Sequence, residues 1–235
     1  MKKYDFLFID ADETILDFNG AEKVAFDRIL EVAGIEATAE LLASYTKLNN
    51  QFWAEIESGS LSLRAMVEGY RFKNFFEKIE LDFDYRIANE IFLAEISKST
   101  LVVDHADEVL EKLAESYKLY CITNGFIRTA VGRMEATGFN KYFEELFISE
   151  AIGFQKPNKG FFSYALDKAG VKDKSRVLVI GDSLRGDMKG GIASGLATCW
   201  YNPLGEPNDE NVPIDYEIRD LREVFDVLDD MENVG

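Results

Sequence analysis

The chain has 235 residues, of which 47% are hydrophobic and 29% charged, so it carries enough apolar material for a buried core and is not a disordered chain. Its formal net charge of −17 repels nucleic-acid backbones and anionic lipid surfaces, so we expect no nucleic-acid polymer and no membrane as a partner. A phosphate ester would be repelled as well. Any phosphate site must therefore carry local positive charge from a metal, a lysine or backbone N–H groups.

The cysteines and the first residues bear on the cellular compartment. Cys121 and Cys199 lie far apart, each inside an apolar run and without metal-ligand spacing, which predicts two buried thiols in a reducing environment. Asp5 and Asp10 interrupt the apolar stretch near the start, so that stretch is not a secretory signal. No apolar run approaches the roughly 20 residues that a membrane span needs. We therefore expect a soluble, cytoplasmic protein without an obligate protein partner.

Three short apolar runs predict buried parallel strands. They cover residues 6–9, 119–122 and 177–180, are rich in β-branched or aromatic residues, and each is followed by polar residues. Residues 147–149 and 198–201 are weaker strand candidates. In an open α/β sheet, ligands bind at the carboxyl ends of the strands. The polar residues that follow these runs are therefore candidates for a site.

Helical spacing fills the remainder of the chain. From about residue 106 onward, predicted strands and helices alternate, which is the signature of a doubly wound sheet. Between residues 17 and 98 the apolar spacing is helical, as at Phe26, Ile29 and Leu30, and no convincing strand occurs. We predict a Rossmann-like α/β core with a doubly wound parallel sheet over residues 1–16 and 99–235. A small all-helical cap, inserted after the first strand, is predicted over residues 17–98.

The first strand is followed by two carboxylates. Asp10 and Asp12 stand at positions i and i+2, so both can point into one crevice while the chain turns. One can attack phosphorus and hold a cation, and the other can pass a proton to the leaving oxygen. Acidic pairs are common in turns, so this pair alone does not establish a site.

The other strand ends add the groups that such chemistry needs. Thr123 offers a hydroxyl, and Asn124 and the residue after it offer backbone N–H groups for a phosphoryl oxygen. Asp182 follows the third strand. Together with Asp10 and a backbone carbonyl of the first loop, it would supply the oxygen ligands that Mg²⁺ prefers. A lone lysine is usually a solvated surface charge. Beside these motifs, Lys156 is instead expected to neutralise phosphate.

In chain order the sequence reads D-x-D-x-T, T-N-G, K-P and G-D-S-x-x-x-D between residues 10 and 187. This set of motifs resembles the haloacid dehalogenase superfamily. The resemblance implies that Asp10 is the nucleophile and a metal ligand. It implies that Asp12 is the general acid and base and binds metal through its backbone carbonyl. It also implies a Mg²⁺ cofactor and an aspartyl-phosphate intermediate.

The resemblance further implies roles for the residues around this pair. The phosphate-binding residues would be Thr123, Asn124 and Lys156. The metal ligands would be Asp10, Asp12 and Asp182. The supporting residues would be Thr14, which steadies Asp12, Ser183, and Asp187, which supports Asp182 or Lys156. An acid at position 12 favours phosphate esters over dehalogenation or phosphonate cleavage, and it does not exclude a phosphomutase.

The cap bears on the substrate. Residues 45–53, 70–72, 153–157 and 199–203 resemble the pyrimidine-nucleotidase group, whose members dephosphorylate nucleoside 5′-monophosphates. The resemblance implies a small phosphorylated metabolite as partner, with a nucleotide expected first. A sugar-phosphate phosphatase and a phosphomutase of the same family remain alternatives.

Three cap residues are candidates for contact with the leaving group. Asn49 and Trp53 are four residues apart and share one helix face, so Trp53 can stack on a base that Asn49 hydrogen-bonds. Trp53 serves equally well as part of the cap core. Arg71 can meet a phosphate or ribose, although pairing with a surface acid is the favoured expectation.

Two other classes of protein share features with this sequence. A signalling receiver domain also phosphorylates an aspartate beside Mg²⁺, but the chain length, the helical insert and the nucleophile at the end of the first strand count against it. A catalytically silent scaffold would lack a catalytic residue, and every expected position is filled.

Overall fold

The computed structural model describes residues 2–57, 60–61 and 63–229. Within these residues, six parallel strands form one sheet in the order β3-β2-β1-β4-β5-β6. The strands are β1 (Phe6–Ile9), β2 (Lys118–Thr123), β3 (Glu145–Ile148), β4 (Val177–Gly181), β5 (Ala197–Tyr201) and β6 (Tyr216–Ile218). Because helices cover both faces of the sheet, the predicted doubly wound α/β fold is confirmed.

The helices follow the predicted division into a helical segment and an alternating segment. They are α1 (Phe18–Ala33), α2 (Ala39–Glu57), α3 (Leu63–Val67), α4 (Tyr70–Lys78), α5 (Tyr85–Ser97), α6 (Ala106–Ala114), α7 (Ile127–Thr137), α8 (Ser149–Ile152), α9 (Lys159–Lys168), α10 (Lys189–Ser194) and α11 (Val224–Asp229). A short π-helical turn, Leu184–Met188, leads into α10. None of the described helices is long and apolar enough to cross a bilayer.

The three strong apolar runs form the three central strands, β2, β1 and β4. The weaker candidates are β3 and β5, although Ser149 begins α8 and does not end β3. Strand β6 was not predicted. It has only three residues at the edge of the sheet, and Glu217 at its centre is exposed, so it leaves no continuous apolar run in the sequence.

The sheet separates two apolar layers. On one face, Leu7 and Ile9 pack with buried residues of α6 and α11. On the other face, Phe8 packs with Phe161 and Phe162 of α9. This alternation along β1 is the period-2 pattern of a strand that is buried on both faces. It fixes the strand so that Asp10, the next residue, emerges at the carboxyl edge of the sheet.

Helices α1 to α5 surround an apolar cluster of their own. Tyr45 lies at its centre, with its ring centroid 4.6 Å from that of Phe26 and 5.3 Å from that of Phe72. Phe126, which immediately precedes α7, also packs into this cluster. The helical content agrees with the predicted cap, and the domain boundaries at residues 16/17 and 98/99 stay a prediction.

The two chain segments that join this helical part to the sheet run side by side. Leu16 and Val102 form an antiparallel bridge, and Asp17 donates its backbone N–H to the carbonyl oxygen of Leu101 at 3.2 Å. We call residues 15–17 and 101–103 the linker pair. Helix α7 lies close by, since a Cβ on Gly132 would sit 2.5 Å from the backbone oxygen of Ser97 at the end of α5.

Candidate active site

The carboxyl ends of β1, β2 and β4 meet at the floor of a cavity of about 300 Å³ between the sheet and helices α1 to α5. Most of the predicted site residues come together here. The predicted residues that line this cavity are Asp10, Asp12, Asn49, Trp53, Arg71, Thr123, Asn124, Lys156, Asp182 and Ser183. The other two, Thr14 and Asp187, lie directly behind this layer and contact it through Asp182 and Lys156.

Lys156 is buried, with 3% of its surface exposed, and its ammonium group has a complete set of acceptors. The Nζ atom donates to Oδ1 of Asp10 and Oδ1 of Asp187, both at 2.7 Å, and to the carbonyl oxygen of Ile122 at 2.9 Å. Burial alone would lower the pKa of Lys156. The carboxylates of Asp10 and Asp187 outweigh burial and raise this pKa above its ordinary value, so the lysine stays protonated.

Asp187 is held behind the cavity by a close backbone approach. Its Oδ1 accepts from Lys156, and its Oδ2 accepts from the backbone N–H of Ser183 at 3.2 Å. A Cβ on Gly181 would lie 2.3 Å from Oδ2 of Asp187, so only glycine leaves room for this carboxylate. Asp187 was expected to support either Asp182 or Lys156, and the structure shows a hydrogen bond to Lys156.

The acidic groups at the strand ends fit a divalent cation. Carboxylate oxygens of Asp10, Asp182 and Asp187 lie within 4.8 Å of one another. Burial, followed by the negative charges of Asp10 and Asp187, raises the pKa of Asp182 well above its ordinary value. Both oxygens of Asp187 already accept hydrogen bonds, so Asp10 and Asp182 are the carboxylates free to coordinate. Crowded, buried oxygen donors of this kind suit Mg²⁺.

Asp12 has a partner that the sequence did not reveal. Its Oδ1 lies 2.6 Å from Nη1 of Arg133, an arginine of α7 with only 1% of its side chain exposed. The Asp12 side chain is 38% exposed, and its partial burial raises the pKa of Asp12 to about 6, although the charge of Arg133 opposes this rise. Arg133 occupies the buried face of α7 together with Ala130 and Met134. In the sequence, the presence of a charged residue within the apolar face of a predicted helix could have identified Arg133.

Thr14 contacts Asp182, not Asp12 as expected. Its hydroxyl accepts the backbone N–H of Asp182 at 3.1 Å and donates to Oδ1 of Asp182 at 3.4 Å. The first loop folds back on itself, with the N–H groups of Ile15 and Leu16 bonded to the carbonyl oxygen of Ala11. This fold directs Thr14 toward β4, while Asp12 is supported by Arg133.

The loop after β2 and the loop before α9 are joined through Asn124. Its side chain donates to the carbonyl oxygen of Lys156 at 3.0 Å and accepts the backbone N–H of Lys156 at 2.8 Å. The Thr123 hydroxyl accepts the N–H of Gly125 at 2.9 Å, and the Ser183 hydroxyl accepts the N–H of Gly186 at 2.9 Å. These bonds set the shape of the cavity floor.

Arg71 does not lie on the surface. It is 1% exposed, and its guanidinium carbon lies 4.2 Å from the ring centroid of Phe92 and 4.9 Å from that of Phe72. Nη2 donates to Oδ1 of Asn89 at 3.4 Å. The expectation of a surface ion pair is wrong because Arg71 lies on the apolar face of α4, beside Phe72 and Phe75.

The opposite wall of the cavity contains a further buried acid, which sequence reasoning missed. Glu22 is 3% exposed and accepts a hydrogen bond from Nδ2 of Asn49 at 2.8 Å. Burial raises the pKa of Glu22 to about 7, against the lowering effect of Arg71. Trp53 is partly buried, stacks on Phe126 with a centroid distance of 6.1 Å, and lines the cavity. Trp53 thus packs against the apolar cluster of the helical part and also borders the cavity.

Comparison with known proteins points to one family. Residues 4–195 match the haloacid dehalogenase-like hydrolases. The chain is 33% identical to pyrimidine 5′-nucleotidase YjjG of Escherichia coli, with 96% of this chain and 98% of that protein covered. It is 31% identical to pyrimidine 5′-nucleotidase PynA of Streptococcus pneumoniae, with 96% and 95% covered. The magnesium-bound crystal structure of the HAD-hydrolase YfnB from Bacillus subtilis superposes with a TM-score of 0.90 at 33% identity, covering 97% of this chain and 99% of that one.

Proposed function

The chain belongs to the haloacid dehalogenase-like hydrolase family, and we propose that it is a Mg²⁺-dependent 5′-nucleotidase that forms an aspartyl phosphate on Asp10. One observation carries the proposal. Asp10, Lys156 and Asp182 meet at the floor of a cavity whose opposite wall contains Asn49 and Trp53. A phosphoryl group and an aromatic leaving group therefore find suitable surfaces at the two ends of one cavity.

In the proposed reaction, Asp10 attacks phosphorus. A bond forms between a carboxylate oxygen of Asp10 and phosphorus, and the bond from phosphorus to the 5′ oxygen breaks. Asp12 supplies the proton to the departing oxygen. Asp12 then takes a proton from a water molecule, which attacks phosphorus, releases phosphate and restores the Asp10 carboxylate.

The positive groups of the floor act on the phosphoryl oxygens. Lys156 is fixed by Asp10 and Asp187, so its charge is already in place when negative charge spreads over these oxygens. Thr123, at the end of β2, faces the same space, and the Asn124 side chain holds the Lys156 loop beside it. The positive charge is therefore present beside the phosphoryl site before the reaction begins.

Asp10, Asp182 and the backbone carbonyl of Asp12 would hold Mg²⁺. The ion would offset the repulsion between the Asp10 carboxylate and an anionic ester. The structure of YfnB, which is described as bound to magnesium, supports this cofactor.

The size and lining of the cavity support a single nucleotide as the substrate. A volume of about 300 Å³ belongs at the small end of small-molecule sites. Trp53 offers a flat aromatic surface, and Asn49, Glu22 and Arg71 supply hydrogen-bonding groups beside it. Two relatives that match nearly the whole chain are pyrimidine 5′-nucleotidases, which favours pyrimidine monophosphates.

The test is phosphate release from a panel of nucleoside 5′-monophosphates and sugar phosphates, with Mg²⁺ or EDTA, and with Asp10→Asn as the inactive variant. We expect turnover of pyrimidine monophosphates that is lost with EDTA and with Asp10→Asn. Turnover confined to sugar phosphates would retain the mechanism and reject the nucleotidase assignment. Full activity in Asp10→Asn would reject the mechanism.

A further inference from the structure

Arg133 connects three parts of the molecule that the proposed reaction must coordinate. Nη1 lies 2.6 Å from Oδ1 of Asp12, and Nη2 donates to the carbonyl oxygen of Leu101 at 3.4 Å. The guanidinium carbon is 5.9 Å from the ring centroid of Phe18, the first residue of α1. The Leu101 carbonyl also accepts the backbone N–H of Asp17, so Arg133 bonds directly to the linker pair.

The side chain of Arg133 is buried, and the helix that carries it, α7, packs tightly against α5. The side chain is 1% exposed, and Nε has no hydrogen-bond partner among the described residues. The neighbouring Gly132 packs against Ser97 so closely that a Cβ would collide with the backbone of α5. A buried guanidinium is costly unless it is paired. Asp12 is the carboxylate that pairs with it, so the two side chains hold each other in place.

This pairing also sets the direction of the Asp12 carboxylate. Oδ1 is taken by Arg133. Oδ2 points toward the loop after β2, since a Cβ on Gly125 would lie 3.7 Å from it. That loop begins with Thr123, one of the residues proposed to hold the phosphoryl group. The oxygen that Arg133 leaves free is therefore the one that faces the loop carrying Thr123.

We propose that Arg133 is a positioning residue: it binds Oδ1 of Asp12 so that Oδ2 carries the proton to the leaving oxygen, and it ties this orientation to the linker pair. The proposal rests on the proposed function of Asp12 as general acid and base. Arg133 is not among the residues that line the cavity, so it acts on the reaction through Asp12. It acts by fixing the one carboxylate that changes its protonation state during the reaction.

The dependence of the rate on the leaving group distinguishes this positioning role of Arg133 from a purely structural one. A nucleoside 5′ oxygen needs a proton as it departs, whereas p-nitrophenolate is stable as an anion and departs without one. The experiment measures the first turnover, at saturating substrate and Mg²⁺, for a nucleoside monophosphate and for p-nitrophenyl phosphate. Restricting it to the first turnover excludes the later hydrolysis of the aspartyl phosphate, which both substrates share.

For Arg133→Met, we expect nucleoside release to slow by about 10- to 100-fold, because general acid catalysis typically contributes 10²–10⁴-fold and a misplaced acid keeps part of it. Release of p-nitrophenol should change by less than about threefold, and KM should stay near the wild-type value. Arg133→Lys keeps the charge without the planar fork, and we expect a smaller loss with the same dependence on the leaving group. It also provides the test if Arg133→Met does not fold.

The matched control is Arg128→Met, which removes an exposed arginine from the same helix. It should leave both rates unchanged. Equal slowing of both substrates in Arg133→Met and Arg133→Lys, or no slowing in either, would overturn the proposal. Asp12→Asn tests the general acid role of Asp12 separately from the positioning role of Arg133. If it releases nucleoside at the wild-type rate, the general acid assignment itself fails. If it is slow while both Arg133 variants are not, only the role of Arg133 fails.

Discussion

Lys156 and Asp10 form a buried ion pair at the centre of the site, with Nζ 2.7 Å from Oδ1 and 3% of the lysine exposed. The two residues are 146 positions apart in the sequence. They meet because β1 lies beside β2 in the sheet and because the side chain of Asn124, which follows β2, binds the backbone of Lys156. The proposed nucleophile is therefore oriented by the same cation that is proposed to neutralise the phosphoryl group.

Replacing this lysine should harm both stability and activity. Lys156→Met leaves Asp10 and Asp187 buried without their cation, and breaking a buried pair in this way typically costs about 3–5 kcal/mol in the free energy of unfolding. Loss of a preorganised positive group should lower kcat by about 10²–10³-fold. Urea denaturation and steady-state kinetics measure the two effects. The exposed Lys159, three residues later, supplies the control Lys159→Met, which should change neither. Equal effects of the two substitutions would contradict the prediction.

Mg²⁺ should stabilise the protein through Asp182, and this can be measured without turnover. A ligand at 100 times its Kd raises the free energy of unfolding by about 2.7 kcal/mol. We expect added Mg²⁺ to raise the Tm of the wild type and to have much less effect on Asp182→Asn, because one proposed ligand is weakened. Asp167→Asn, an exposed change on α9, should respond as the wild type does. An undiminished Mg²⁺ response in Asp182→Asn would show that the ion binds elsewhere.

The sequence correctly predicted the position in the fold of those candidate site residues that directly follow a predicted strand. Asp10, Thr123 and Asp182 could be placed at one edge because each follows an apolar run, and parallel strands end at the same edge of a sheet. Contacts between residues far apart in the sequence could not be predicted from the sequence. The pairing of Asp12 with Arg133 depends on how α7 packs against α5, and the position of Arg71 depends on which face of α4 is buried. Residue types and spacing do not specify such packing.

Glu22 should make stability depend on pH. Its pKa is raised from about 4.5 to about 7 in the folded protein, so between these values the unfolded state has lost a proton that the folded state retains. The contribution of Glu22 to stability therefore falls as pH rises from about 4.5 to 7, and stays low above 7. Glu22→Gln removes this loss and should be more stable than the wild type at pH 8.5, by on the order of 2–3 kcal/mol.

This advantage should shrink at pH 5.5, where the wild-type side chain is still protonated when folded. Urea denaturation at the two pH values measures the difference. The groups acting on Glu22 are Asn49, which donates a hydrogen bond, and the charges of Arg71 and Glu13. Glu111→Gln, on the exposed face of α6, should show no such pH-dependent gain. A constant difference between Glu22→Gln and wild type at both pH values would argue against a buried, titrating Glu22.

Trp53 should affect nucleotides more than simple phosphate esters. Its ring lines the cavity and stacks on Phe126, so one face is supported by protein while the ring borders the space for the leaving group. Stacking of a base on an aromatic side chain contributes about 1–3 kcal/mol. For Trp53→Ala we therefore expect kcat/KM for a pyrimidine monophosphate to fall by about 5- to 150-fold, with a much smaller change for glycerol 3-phosphate, which carries no aromatic ring. Trp53→Phe retains an aromatic face and should recover most of the nucleotide activity. If both substrates lose activity in parallel with a fall in Tm, Trp53 serves the cap core alone, and the base must be bound by other residues.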